Sequence, residues 1–586
     1  MIYKEFIRVL YIDLHVQKIH IDERHDLSKY LGGVGVASKL LEENMRPQLS
    51  PLDPAQPIVF ASGALSTIFP AMSKVVAMFV SPLTGNLGES YAGGRLALSL
   101  LSTGFDAVVI TGKAKRPTYL SITCNNVSFR DARTLWDSKK ENTGRIIRDD
   151  ERQYAGKRSI IRIGSAGQNL VSYACVTVDR YRHFGRLGLG AVFGSKHLKA
   201  IHIAGNRSIP IHNFKEYFKV YRELYTKCVE TDLMTKYHDI GTSVNILPLN
   251  KIEGLPTRNL QSGKFEDADK VSGEAFAEER LARKIACAGC PVGCIHIGQL
   301  RREFAAHGHE YETISVAYDY ELIFALGTFL GINDNVKILE LIEDVEIAGL
   351  DAMSTGVVLG WATEAFQKGL LSLEETLVPL EFGKADAYRK AVTYIGDGIN
   401  EFYVHLGKGV KHASQIYGGT DYAMHVAGNE MTGYHTGYGS LAGMAVGARH
   451  SHLCNGGYSI DQSLKVGSFN VDDMVDALMN EELERCMLNS LVMCLFARKV
   501  YNREVILSAL NSVGYNLTHD NLTAIAHRTY AAKLRVKKAF GFDLNNIELP
   551  KRFFEVPTMH GMLDESVAYE ILSKFREKTL NLIENY

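Results

Sequence analysis

The sequence predicts an α+β protein in which a β-rich N-terminal region is followed by two mainly helical ones. Length is the first reason: 586 residues exceed what a single hydrophobic core serves and call for about three domains. The second is a series of short β-branched runs between residues 5 and about 205, each bounded by Gly, Pro or Asn. The third is a change of hydrophobic period after Ile211, where apolar residues begin to recur at helical spacing. The expected domains span residues 1–208, 209–416 and 417–586.

Strands are expected over residues 6–14, 16–21, 58–61, 74–80, 107–111, 119–123 and 200–203, interrupted by helical patterns at 36–45 and 96–102. Amphipathic helices follow over 214–234, 273–285, 336–347, 355–368 and 385–406, then over 472–500, 521–540 and 564–583. Between the last two groups lies 433–457, rich in Gly, Ala, Ser and His. No internal repeat or low-complexity linker separates these blocks, so the domains are expected to pack around a shared site.

Composition narrows the class of function. Hydrophobic residues make up 46% and charged residues 22%, an ordinary soluble balance. A net charge of −1 with no long Lys/Arg run argues against nucleic acid as a partner. No stretch approaches eighteen uninterrupted apolar residues, so no membrane span is expected, and the N-terminus carries no signal-peptide pattern. Nine cysteines, an odd number concentrated in one place, point to a reducing compartment, by default the cytoplasm.

That concentration is Cys287-Ala-Gly-Cys290-Pro-Val-Gly-Cys294, a C-x2-C-x3-C knot. Thiolates so closely spaced can turn toward one centre, and Gly289, Pro291 and Gly293 supply tight, non-helical backbone. Zinc usually takes paired hooks or a Cys/His set of four, whereas three close cysteines plus a distant one commonly hold a four-iron cluster. The order is the reverse of the C-x3-C-x2-C that leaves one iron open for S-adenosylmethionine, so a closed cluster needs a fourth ligand. Cys494, at the end of the apolar run Asn489-Ser-Leu-Val-Met-Cys494, is the candidate, although from the residues alone a small buried hydrophobe reads equally well. Cys124, Cys175, Cys228, Cys454 and Cys486 are isolated and read as core residues.

Glycine gathers at Gly32-Gly33-Val-Gly35, at Gly93-Gly94-Arg95 and at Gly185-Arg186-Leu-Gly188-Leu-Gly190, the last continuing to Gly194-Ser-Lys196. Such loops admit close backbone approach and aim N–H groups at anions, with Arg186 and Lys196 adding charge. Each is weak alone, since turns and close packing need the same residues. No Walker loop and no dinucleotide fingerprint is present.

Taken together the motifs resemble the tungsten-containing aldehyde:ferredoxin oxidoreductase family over almost the whole chain. The resemblance rests on Ser81-Pro-Leu-Thr-Gly, Gly93-Gly94, the 185–196 loop, Leu255-Pro-Thr-Arg-Asn259, the cysteine knot, His309-Glu310-Tyr-Glu312-Thr-Ile, Gly349-Leu-Asp351, Arg449 to His452 and Leu549-Pro-Lys-Arg552-Phe, in the family's order. It implies a β-rich platform for a tungsten (or molybdenum) bis-pterin dithiolene cofactor with no protein ligand to the metal. It also implies a magnesium ion bridging the pterin phosphates and a [4Fe-4S] cluster on Cys287, Cys290, Cys294 and Cys494. The residues implied to bind the cofactor are Lys74, Gly93, Gly94, Arg186, Leu187, Gly188, Glu346, Asp351 and Asn489. Four positions depart from the family's text: Glu346 and Asn489 stand where Asp begins each pterin-binding stretch, Lys74 where an Arg links cluster and pterin, and Tyr91 where an Asn helps bind magnesium. Residues 430–437 depart as well, away from an acidic, proline-bearing stretch.

The implied reaction oxidises an aldehyde to the carboxylic acid, adding oxygen from water and releasing two electrons through the cluster to ferredoxin or a polyferredoxin-like iron–sulfur subunit. A homodimer is an admissible assembly. By the resemblance Glu312 is the general base and His452 the group that stabilises charge on oxygen, with Glu310 and His450 as fallbacks; His309 and His435 are given no role. Three rivals are a same-fold tungsten enzyme acting on an aromatic thioester, a molybdopterin guanine dinucleotide oxidoreductase, and a cluster-bearing electron-transfer or scaffold subunit without tungsten. The second is disfavoured because its knot normally lies near the N-terminus.

Overall fold

In the computed structural model, which describes residues 5–154, 156–211, 213–303, 310–465 and 467–586, strand alternation splits the first sheet between two cores. This sheet has the order β2-β1-β6-β3-β4-β5, built from β1 (Ile7–Asp13), β2 (Lys18–Arg24), β3 (Ile58–Ala61), β4 (Val75–Val80), β5 (Leu87–Ala92) and β6 (Ala107–Thr111). Only β1 and β6 run parallel; the other neighbours are antiparallel. Leu10, Ile12, Phe60, Val75, Phe79 and Val108 face a second six-stranded sheet, ordered β11-β10-β9-β12-β7-β8. Its strands are β7 (Thr118–Ile122), β8 (Val127–Asp131), β9 (Arg158–Arg162), β10 (Val176–Val178), β11 (Arg182–Phe184) and β12 (Leu198–Ala204).

Val9, Val59, Val76, Met78 and Val109, on the opposite face of the first sheet, join a core shared with the helices of the rest of the chain. Burial on both faces is why β3 and β4 read as continuous apolar runs without a polar alternate. The helix Gly33–Asn44 lies in this layer, packed against Val471–Ser490 and His519–Ala539.

The second region is less purely helical than its sequence suggests. The pattern at 273–285 is a helix only over Gly273–Glu279; Leu281–Ile285 is strand β13, paired with β14 (Ile295–Glu303), which pairs with β15 (Tyr311–Tyr318). The cysteine knot is the connection between β13 and β14. Five apolar and basic residues can satisfy either period, and here strand partners on both sides of the knot decide it. The pattern at 214–234 likewise divides into Phe214–Val229 and Asp232–Asp239, and that at 385–406 divides at Gly398, where a left-handed residue ends Ala385–Asp397. Asp334 and Asp351 cap Asn335–Ala348 and Ala352–Gln367 by accepting two backbone N–H groups each. No single helix among the described residues is long and apolar enough to cross a membrane.

Candidate functional site

Two structural links carry Cys494 toward the knot. Its N–H donates to Ala71 O at 2.9 Å, and Val492, left-handed at φ 49°, offers its carbonyl to the Lys74 N–H at 3.3 Å. The four sulfurs influence one another: Cys290 and Cys294 each feel the charge of Cys494 and of Cys287. Burial pushes the Cys290 and Cys294 thiols up to about 12. Burial also opposes the Cys287 thiolate, but Lys74 and Arg182 outweigh it, and the Gly94 N–H donates to its sulfur at 3.2 Å, so this thiol is lowered. Among the described residues no three His, Cys, Asp or Glu side chains close on a single metal ion. A four-iron cluster asks for a wider cage, with each thiolate on a different iron, so the donor set fits that group.

Beside the knot, backbone takes the place of side chains. A Cβ at Gly93 would stand 2.6 Å from Cys287 Sγ and 3.2 Å from Lys74 Nζ, so only glycine lets the first sheet approach the knot here. Burial opposes the charge on Lys74, and the Cys494 and Cys287 sulfurs more than offset it, so its pKa rises. Gly188 is left-handed, and a Cβ on it would lie 2.0 Å from Ser172 O; the preceding Leu187 accepts from Ser81 Oγ at 2.8 Å. Arg186 donates from Nε to Asp351 Oδ2 at 3.1 Å and from Nη2 to Glu430 O at 2.8 Å, while its buried Nη1 has no partner. An unpaired buried guanidinium nitrogen beside a glycine loop fits the expected anionic cofactor.

Other expected cofactor residues are engaged with protein. Glu346 takes Lys140 at 2.9 Å and His183 at 3.0 Å; burial raises its pKa, and these two groups overcome that and hold it well below the carboxylate range. Asn489 is buried in the last turn of Val471–Ser490, where a Cβ on Gly33 would sit 2.4 Å from its carbonyl oxygen. Tyr91 donates its hydroxyl to Glu89 Oε1 at 2.7 Å, Lys533 sits 2.7 Å from Glu89 Oε2, and the Arg449 guanidinium lies over the Tyr91 ring at 4.9 Å. Position 91 therefore supplies an internal ion network, and its hydroxyl hydrogen is already spent.

The expected meeting of Glu312 with His452 does not form. Glu312 lies on β15 with its side chain 41% exposed, paired to Arg302 at 2.6 Å, and Glu310 is also exposed. Solvent and a guanidinium satisfy Glu312 where it stands. The carboxylate facing His452 is Glu321, 3.1 Å from Nε2. It stands in the first turn of Tyr320–Leu326, whose Asp319 cap accepts the Leu322 N–H, and its Oε2 also accepts from Gly433 N at 3.4 Å. Burial, reinforced by Asp319 and moderated by Arg186, pushes Glu321 up to about 8. Burial, then Arg186 and Arg449, hold His452 well below its ordinary value, and its Nδ1 has no partner. Near neutral pH both members are thus largely uncharged, with the proton on the carboxyl.

Three tyrosines wall this pair. Tyr434 stacks on Tyr458 with centroids 4.0 Å apart, and it lies 5.2 Å from Tyr320 and 5.1 Å from the His452 ring. The altered 430–437 segment accordingly contributes an aromatic wall through Tyr434, while its His435 is a core residue bonded to Val556 O. His450 is likewise internal, between Met444 O and Lys537 Nζ, and His309 lies outside the described residues. The signal for Glu321 was a repeated text: Tyr311-Glu312-Thr-Ile recurs as Tyr320-Glu321-Leu-Ile, and only the second copy opens an apolar helix behind an Asp cap.

Comparison with known proteins identifies the family. Residues 9–205 match the aldehyde ferredoxin oxidoreductase N-terminal domain, and residues 219–579 match domains 2 and 3 of the same family. The chain is 30% identical over 574 residues to the tungsten-containing aldehyde ferredoxin oxidoreductase of Pyrococcus furiosus, covering 94% of this chain and 92% of that one. It is also 30% identical over 541 residues to the aliphatic sulfonate oxidoreductase WOR-like subunit of the same organism, covering 87% of this chain and 82% of that one. The solved active-site complex BamBC of benzoyl coenzyme A reductase with 1,5-dienoyl-CoA shares the fold at a TM-score of 0.81 and 19% identity, over 98% of this chain and 94% of that chain. The chain belongs to the aldehyde ferredoxin oxidoreductase family.

Proposed function

We propose that this protein oxidises an aldehyde to the carboxylic acid at a tungsten (or molybdenum) bis-pterin centre and passes the electrons through a [4Fe-4S] cluster to ferredoxin or an iron–sulfur subunit. The observation that carries the reading is the buried Glu321–His452 pair beside Arg186 and the glycine loop. Cys287, Cys290, Cys294 and Cys494 would hold the cluster. Gly93, Gly94, Leu187 and Gly188 would admit the pterins, with Arg186 and Lys74 supplying charge and Asp351 holding Arg186 in place. Glu346 would act by positioning Lys140 and His183, and Asn489 by fixing the segment that ends in Cys494. No role is assigned to a magnesium ligand at position 91. When bound, the metal–pterin group takes the electron pair and the cluster relays single electrons.

The protein's own part is proton handling and orientation. Adding water to an aldehyde carbon and removing two electrons also releases two protons, and a base must take the first from water. Glu321, with a pKa near 8, is in its ionised form a strong enough base to do so. Once protonated, its Oε1, which has no other partner, would need only a small turn to donate to His452 Nε2 3.1 Å away, leaving the imidazole hydrogen on Nδ1. That nitrogen has no protein partner and is the one offered to the substrate oxygen as charge develops. The tyrosine walls exclude water and favour a flat or apolar substrate.

The test is elemental analysis of anaerobically purified protein joined to aldehyde-dependent viologen reduction across aliphatic, aromatic and sugar aldehydes. Tungsten or molybdenum, iron and dye reduction together support the reading. Metal-replete protein inert toward every aldehyde would turn it to another substrate, for which the aromatic wall makes a thioester of an aromatic acid the next to try. Iron without tungsten or molybdenum would leave an electron-transfer or scaffold subunit.

A further inference from the structure

The helix Phe214–Val229 has two faces that do different work. Its inner residues Val220, Leu224 and Cys228 belong to the apolar cluster against which Cys290, Cys294 and Cys494 pack. Cys228 feels the charge of Cys494, and Tyr501 feels both Cys228 and Cys290, so one helix separates the knot's surroundings from solvent at this point. A helix with its side chains is about 10–12 Å thick. Its outer residues do not look like an ordinary solvated face. Phe214, Phe218 and Tyr225 are 61%, 47% and 43% exposed, and Phe214 stacks on Phe218 at 5.8 Å with Tyr221 on Tyr225 at 6.2 Å. Lys215, Lys219 and Arg222, at helical spacing, are exposed, and among the described residues no carboxylate lies within ion-pair range of them; Glu223, beside the same depression, is paired with Lys227. They border a shallow depression that also includes Phe218.

Exposed aromatics rimmed by unpaired cations are the composition of an interface, with apolar anchors and a charged rim that steers the partner. The whole chain carries a net charge of only −1, so this stripe is a local excess, complementary to an acidic surface. We propose that the outer face of Phe214–Val229 docks an acidic iron–sulfur protein and so makes the exit for electrons from the Cys287, Cys290, Cys294 and Cys494 site. The inference rests on the proposed cluster and gives its partner a place. One electron at a time leaves the reduced cluster of this chain and reduces one oxidised cluster of the partner, with no bond made or broken.

The experiment uses the holoenzyme and an acidic two-cluster bacterial ferredoxin as probe. The combined variant Lys215→Glu, Lys219→Glu, Arg222→Glu keeps helix-forming residues at each position, so the helix is expected to stand. Two quantities are read separately: ferredoxin affinity by titration at low ionic strength, independent of turnover, and viologen reduction, which needs no docking. The charge-reversed variant should bind ferredoxin at least about tenfold more weakly, with wild-type iron content and viologen rate. Phe218→Ser should weaken binding without changing its salt dependence. Wild-type affinity in the charge-reversed protein, or no ferredoxin binding by the wild type, overturns the docking proposal. Loss of viologen reduction in the wild type instead strikes the proposed function and leaves the binding measurement to decide docking. If the variant loses sedimentation with anionic phosphatidylserine vesicles, or loses self-association, but keeps ferredoxin, the face belongs to a lipid surface or to a second copy and the proposal is wrong.

Discussion

The cysteine knot and the Glu321–His452 pair differ in how much of each the sequence can show. Three of the four cysteines lie within eight consecutive residues, so their meeting is enforced by chain connectivity and by glycines that permit a tight turn. Glu321 and His452 meet only because a capped helix and a loop after Tyr438–Val446 are brought together by the shared core. Local spacing is a property of the chain, whereas a pair assembled from distant elements is a property of packing. A motif match chose Glu312 because it weighed letters. The environment favours Glu321 in the proposed reading, since it is buried and raised whereas Glu312 sits in a part-exposed ion pair.

Substitution can break each half of this contrast in turn. Cys290→Ser should have the largest effect, abolishing the reduced-cluster EPR signal and lowering iron content. Cys486→Ser, which alters a cysteine buried near Lys533, should leave iron at the wild-type level. Stoichiometric zinc without iron in the wild type would overturn the cluster assignment. Next comes Glu321→Gln, expected to lower aldehyde-dependent dye reduction about 10²- to 10⁴-fold with metals retained. Glu312→Gln should remain within about twofold, as befits a surface ion pair. The reverse outcome would restore the motif's choice.

A pH profile sharpens the distinction further. Glu321 is raised to about 8, so its basic form grows as pH rises through that value. The rate of a step needing the base should climb with pH up to about 8 and level off above it. A profile flat from pH 6 to 9 in metal-replete protein would remove Glu321 from the proton step. The smallest effect on chemistry is expected at Arg552, whose Nη2 lies 2.7 Å from Glu364 Oε1 while Asn259 Nδ2 donates to Oε2 at 2.8 Å. Two motifs of the family resemblance, 255–259 and 549–553, meet here as a buried clamp. Arg552→Ala leaves the Glu364 carboxylate to Lys368 and Asn259 and should cost about 1.5–3 kcal/mol in a denaturant titration, with dye reduction per bound metal unchanged.

Much of the first region was legible because β-branched runs such as Ile58–Ala61 and Val75–Val80 suit no other element. Leu87–Ala92 escaped notice, since Gly88, Glu89 and Ser90 are poor strand formers; pairing to β4 and the Lys533–Glu89 ion pair hold it. Strand β13 was hidden inside a helical pattern for the same kind of reason: its partner β14 lies across the knot, beyond any local window. The cradle residues Gly93, Gly188 and Arg186 stood out by composition, whereas the engagement of Glu346 with Lys140 and His183 depends on elements 163 and more positions away.

The β14–β15 strand pair acts as a ruler between the two proposed centres. Cys294 directly precedes β14, Asp319 directly follows β15, and His296 pairs with Tyr318 across the strands, so the cysteine and the cap of Glu321's helix hang from the same end of one ladder. In the proposed reading, an electron route through the knot and a proton step at Glu321 would be spaced by backbone hydrogen bonds that no side-chain substitution alters. A one-residue insertion within β14 would turn its following side chains to the opposite face and detune both routes at once. Any coupling of proton to electron in this fold would be a matter of carpentry as much as of chemistry, with a single antiparallel register as the joint.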